Sequence, residues 1–216
     1  GSLERADLQG RFVKVLGELQ DDPSLFTTER LYATLGLIDF ARIDDADAAL
    51  PAELVEDVRA RVGRADRDTT DTYERQTVIN IAAHLLVQVG LEEPAKQLLL
   101  AELDKSKQPY YFMVGLADLE EEAGNKEAAI DWLKRAYDSS TGPATRFQWG
   151  TYYVNGLLKM APDDVAGIRT ATVSVVRELE KGRAFYQRPK AQLERLETKL
   201  EAWGTTPERR AGLGEI

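Results

Sequence analysis

Cysteine is absent from this chain of 216 residues, and histidine occurs once. The first absence removes thiol catalysis, disulfides and thiolate zinc sites from these residues, and leaves the compartment open. The second leaves His84 without the further ligands a metal needs, so no metal site is expected. No apolar run approaches the ~18–20 residues that span a bilayer, and no membrane insertion is expected. Basic residues are in deficit, 28 against 37 acidic ones, for a net charge of −9. A surface of that sign repels phosphate backbones, which argues against a nucleic-acid partner. A Gly-rich phosphate loop, a dinucleotide fingerprint and a nucleophile elbow are also missing. No catalytic residue and no cofactor are assigned, and the chain is not expected to be an enzyme.

What remains is a helix-forming chain with clear punctuation. Leu8, Phe12, Leu16 and Leu19 fall at helical spacing, and Asp21-Asp22-Pro23 ends that segment. A helix after Thr27-Thr28 carries Leu31, Leu35 and Ile38, and Pro51 opens another with Leu54, Val58 and Val62. Asp66 to Asp71 has no apolar side chain and is the clearest internal boundary, with Asp71 and Glu74 spaced as a cap for the next helix. Three organisational segments follow: N-terminal helices over 1–65, a repeat region over 66–203, and a flexible tail over 204–216. Gly1-Ser2 has the look of an expression remnant, and no signal-peptide pattern comes after it.

Within the middle segment the chain repeats itself. Ala83, Gly90, Ala95 and Leu99 recur 34 residues later as Ala117, Gly124, Ala129 and Leu133. Each unit reads as helix, Gly turn, helix: Thr72–Val89 with Glu92–Asp104, then Pro109–Ala123 with Lys126–Ser139. A looser pair follows, Pro143–Met160 and Asp163–Glu180. Pro189 then opens a last helix whose stripe of Leu193, Leu196, Leu200 and Trp203 covers the end. On the first helices of the pairs, Val78, Ala82, Leu85 and Val89 align with Phe112, Leu116, Leu119 and Ala123. They align again with Phe147, Thr151, Val154 and Leu158. Each set makes one buried face. A period of 34 with small residues at helix contacts resembles the tetratricopeptide (TPR) pattern. The expected fold is therefore all-α, a right-handed α-solenoid of TPR-like pairs with about ten helices and a C-terminal capping helix.

In stacks of that kind the first helices line a concave groove. The register places Asn80, His84 and Gln88 there, with Tyr111, Asp118, Glu121 and Glu122 from the second pair and Arg146, Trp149 and Tyr153 from the third. An acidic and aromatic groove suits an extended protein or peptide segment with basic or amide groups. Trp149 and Tyr153 equally suit packing between helices. The aspartates at 66, 68 and 71 lack the glycine and distal glutamate of a calcium loop, and those at 44, 45 and 47 read as a solvated turn.

Tyr73-Glu74-Arg75-Gln76, Pro109-Tyr110-Tyr111-Phe112-Met113 and Ala144-Thr145-Arg146-Phe147-Gln148-Trp149-Gly150 resemble the C-terminal helical region of exported bacterial thioredoxin-family proteins, over roughly Leu25 to Trp203. That resemblance implies a periplasmic accessory domain from which the redox domain has been trimmed, one that positions a thioredoxin unit against a client or redox partner. Arg75 and Arg146 suit either client contact or buried hydrogen bonds between helices. A protein-interaction module, monomeric or weakly dimeric, is the leading expectation. A stand-alone oligomerisation scaffold and a hydrolase using His84 or a carboxylate pair are the alternatives.

Overall fold

Asp71 accepts hydrogen bonds from the amides of Tyr73 (3.0 Å) and Glu74 (2.9 Å), and so starts a helix at Thr72 by satisfying donors that the helix itself leaves unpaired. The same logic of local stops and starts punctuates the whole chain in the computed structural model, which describes residues 2–180 and 187–214. Gly1, half of the suspected expression remnant, lies outside the described residues. Among the described residues there are eleven helices and no strand, so the chain is all-α.

Two compact units divide the chain, 1–102 and 103–216. The first holds α1 (Ser2–Asp21), α2 (Thr27–Ala41), α3 (Ala52–Asp68), α4 (Thr72–Gln88) and nearly all of α5 (Glu92–Leu103). Helix α2 packs on α1, α3 and α4, and α3 packs on α4. Leu31, Ile38, Val58, Val62, Val78 and Leu85 on these helices are buried. Helix α1 keeps much of its apolar face in solvent. Leu8 is 56% and Phe12 50% exposed, although the Phe12 ring stacks on that of Phe40 at 5.7 Å.

The second unit holds α6 (Tyr110–Glu122), α7 (Lys126–Ser139), α8 (Pro143–Met160), α9 (Val165–Glu180), α10 (Gln187–Trp203) and α11 (Pro207–Leu213). Here α6 packs on α7, α7 on α8 and α8 on α9, while α10 lies on α8 and α11 on α9. Leu196, Leu200 and Trp203 of the expected stripe are buried with Phe147, Val154, Ile168 and Val175. The Trp203 Nε1–H donates to the carbonyl of Pro162 at 2.7 Å, which ties α10 to the end of α8.

The 34-residue signal has a backbone cause. Gly90 and Gly124 adopt φ of +75° and +80°, a region side-chain-bearing residues avoid. Each lets the next amide reach back over the helix end, Leu91 N–H to Leu86 O and Asn125 N–H to Glu120 O, both at 2.8 Å. That is the same helix stop used twice. The aligned faces are buried as expected, except at their ends: Ala123 is exposed and Leu158 half-buried.

Two segment boundaries differ from the sequence reading. Asp66–Asp71 lies inside the first unit, because Arg75 of α4 gathers this stretch. Its Nη1 donates to the carbonyls of Asp66 (2.5 Å) and Thr69 (2.8 Å), and its Nη2 meets the Asp66 carboxylate at 2.6 Å. Of the tail expected to be flexible, Pro207–Leu213 forms α11, and Glu215 and Ile216 lie outside the described residues. Thr206 caps it, Arg209 Nη2 reaches Asp163 at 2.7 Å, and the Arg209 guanidinium lies 5.5 Å from the Trp203 ring centre.

Candidate functional site

Helices α6 and α8 carry most of the predicted groove residues of the second unit, and an aromatic row joins the two. The Trp149 ring lies 5.4 Å from Tyr110, 5.0 Å edge-on from Tyr111 and 5.4 Å from Tyr152. The row is graded. Tyr110 and Trp149 are buried, Tyr111 is half-buried, and Tyr152 is 44% exposed. Trp149, predicted for the groove, is buried beneath its three tyrosine neighbours.

Beyond the aromatic row the surface turns acidic. Tyr111, Asp118 and Glu122 are spaced i, i+7, i+11 along α6 and so share one face. Glu121 forms an ion pair with Lys159 of α8. Asp118 has no ion-pair partner within 4 Å among the described residues. Asp118 is exposed as a residue, but partial desolvation of its carboxyl, reinforced by repulsion from Glu121 and Glu122 and only partly offset by Lys159, pushes it up to about 6. Three carboxylates therefore stand against one ammonium. The arrangement leaves a negative surface that a cation would relieve.

This has a pH signature. Because the folded-state value lies above that of an unfolded aspartate, the protonated form favours folding. The associated stability is fully present below about pH 4 and is lost as pH rises through 6. Asp118→Asn should accordingly stabilise the protein at pH 7 by about 1 kcal/mol or less, a figure discounted for solvent screening, and give no gain at pH 4. Urea titrations of both proteins at the two pH values check this; an equal difference at both would contradict it.

Two other predicted positions fall elsewhere. Arg146 is not a groove residue. Its Nε donates to Glu178 Oε1 at 2.9 Å, its Nη1 to the carbonyls of Tyr137 (3.2 Å) and Ser140 (3.1 Å), and its guanidinium lies 4.5 Å from the Tyr137 ring centre. Those bonds, the one to Glu178 first, hold its charge more firmly than that of a free arginine. Tyr153 turns to the α7 side, packed with Ala129 and Leu133, and burial raises its phenol. The residue that continues the aromatic row is its neighbour Tyr152, which the sequence reading passed over, as it did Lys159.

In the first unit, α4 carries the remaining candidates. Asn80 bonds its own helix, Nδ2 to the Gln76 carbonyl at 2.7 Å, and His84 is exposed. Gln88 is half-buried, and its carbonyl accepts from Arg42 Nη1 at 2.9 Å. The other acidic clusters are spoken for. Asp66 pairs with Arg75, Asp71 caps α4, and Asp44 meets Arg5. Among the described residues no three His, Cys, Asp or Glu side chains converge as metal ligands.

Arg75 and Arg146 occupy one structural role. Each is the fourth residue of its helix, and Arg146 comes 71 positions after Arg75. Each donates to carbonyls at the end of the preceding helix and pairs with a buried glutamate near the end of the following one, Glu102 in α5 or Glu178 in α9. At the fourth position of α6 the chain has Met113 instead, buried, with the Ser139 hydroxyl of α7 at 3.7 Å from its sulfur. These arginine clamps give Arg75 and Arg146, in two of the three strings behind the family resemblance, a structural role. The chain matches no known family model and no curated protein at a significant level.

Proposed function

We propose that this chain is a non-catalytic protein-interaction module of TPR-like repeats, and that the α6–α8 surface of its second unit takes a basic stretch of a partner. The observation that carries this reading is the acidic surface around Asp118. A carboxyl held up to about 6 beside two more acids gains when a lysine or arginine approaches. The exposed Tyr152 beside Trp149 offers such a segment an aromatic anchor, and guanidinium and ammonium groups both favour aromatic faces. Repeating helix pairs are well suited to display such a surface without moving parts.

The biological setting we propose is an exported thioredoxin-like protein of the periplasm, for which this domain presents clients or a redox partner. The three sequence strings support that setting; thiol titration of the native protein finding no cysteine would remove it.

Tetra-arginine titrated into isotope-labelled protein at low salt tests the surface. Amide shifts should concentrate at Asp118, Glu121, Glu122 and Tyr152, and Glu121→Lys/Glu122→Lys should weaken binding at least tenfold. Shifts spread evenly over every acidic face, or none, would refute the reading.

A further inference from the structure

The first unit contains a cavity of about 80 Å³ between α2 and α3, bordered by Arg30, Arg61, Arg64, Thr27, Gln20 and Asp68. Three arginines around one void are unexpected in a chain of net charge −9. Their situations differ. Arg61 is fully engaged: its Nε bonds Asp57 at 2.7 Å, its Nη2 Asp21 at 2.8 Å, and its Nη1 the Gln20 carbonyl at 3.0 Å. Among the described residues the Arg30 guanidinium bonds only the Thr27 hydroxyl, from Nη2 at 3.2 Å, and its buried Nε–H has no acceptor. Among the described residues no carboxylate lies within 4 Å of Arg30 or of the exposed Arg64. Asp68 is the one acid on the wall, and Asp21 and Asp57 are both engaged by Arg61, so neither Arg30 nor Arg64 has a carboxylate of its own.

A buried N–H donor without an acceptor costs about 1–3 kcal/mol, and native proteins rarely leave one so. Water in the void would satisfy the donor but give neither guanidinium an ionic partner. An oxyanion does both, since the guanidinium fork matches carboxylate and phosphate oxygens. Thr27 opens α2, so the positive end of that helix borders the same space. The Thr27 hydroxyl, accepting from Arg30, keeps its own proton to donate. Each ordered water takes roughly 10–15 Å³ on this measure, so the void has room for a single oxyanion group.

We infer that this cavity is an oxyanion site in which Arg30 and Arg64 hold one carboxylate or phosphate group. It is independent of the α6–α8 surface. Inorganic phosphate and acetate, each titrated against chloride at constant ionic strength, separate the two chemistries, with calorimetry and the melting temperature as readouts. Saturable binding of one or both is expected. Arg30→Gln should weaken it at least tenfold and Arg64→Ala several-fold. Arg59→Ala, an exposed change on the same helix, should leave it unaltered. Arg64 lies in solvent, so its variant folds whatever becomes of Arg30→Gln. Phosphate binding alone would assign a free or esterified phosphate, and acetate binding alone the carboxylate of a side chain or chain terminus. No response beyond chloride, or a response unchanged in Arg64→Ala, would overturn the site and leave the cavity to water.

Discussion

Glu102→Ala is expected to lower the unfolding free energy by about 3–5 kcal/mol. Glu102 is 2% exposed and faces Arg75 as a two-pronged pair, Nε to Oε2 at 3.0 Å and Nη2 to Oε1 at 2.6 Å. Truncation leaves a mostly buried guanidinium with one carboxylate, Asp66, where it had two. It also loosens the bonds by which Arg75 closes the end of α3. The cost comes from stranding a charge, not from any large net value of the pair. Replacing both partners together, Arg75→Met with Glu102→Leu, should therefore cost much less than the single change. Arg75→Lys should lie between, because an ammonium cannot fill both prongs. Urea unfolding with an unchanged slope measures all three; a single-variant loss below 1 kcal/mol would show the clamp to be ornamental.

Gly150→Val should destabilise the second unit by about 3 kcal/mol through overpacking. A Cβ at this position would stand 2.4 Å from Val175 Cγ2 and 3.2 Å from the Tyr137 ring. Val175 is fully buried and, being β-branched in a helix, has no second rotamer to escape into. Tyr137 is no freer. Its hydroxyl lies 3.0 Å from Ser174 Oγ and donates to Glu178 at 3.3 Å, beneath the Arg146 guanidinium. Pushing the ring aside thus also disturbs the second clamp. Gly150→Ala should cost about 1–2 kcal/mol, since better helix propensity offsets part of the clash. Adding Val175→Ala to Gly150→Ala should recover some of that loss. A double variant no better than the sum of its parts would place the strain elsewhere.

The buried faces were readable because burial in a helix is periodic. Val78, Ala82, Leu85 and Val89 needed only their spacing to be recognised, and Gly90 and Gly124 marked helix stops that only a positive φ explains. Charge carries no such period. Arg146 on a groove-facing register and Arg146 paired with a glutamate 32 residues away look identical in one dimension. Tyr152 and Tyr153 differ by 100° around the helix, and choosing between them requires knowing on which flank α7 lies. Asp66–Asp71 looked like a linker because it lacks apolar side chains, yet its polar groups are what Arg75 binds, and Thr69 is only 4% exposed. Helix α11 is seven residues long, too short to be stable by propensity. It exists through Trp203, Asp163 and its Thr206 cap, all supplied from outside its own span.

The clamps also set an order of events at the ribosome. Every group that Arg75 engages lies between Asp66 and Glu102, so the first lock can close before the second unit has been synthesised. Arg146 likewise draws only on residues from Tyr137 to Glu178, and waits for neither α10 nor α11. A nascent chain built this way secures each half as it emerges and keeps its exposed apolar surface short-lived, which suits vectorial folding from the N-terminus.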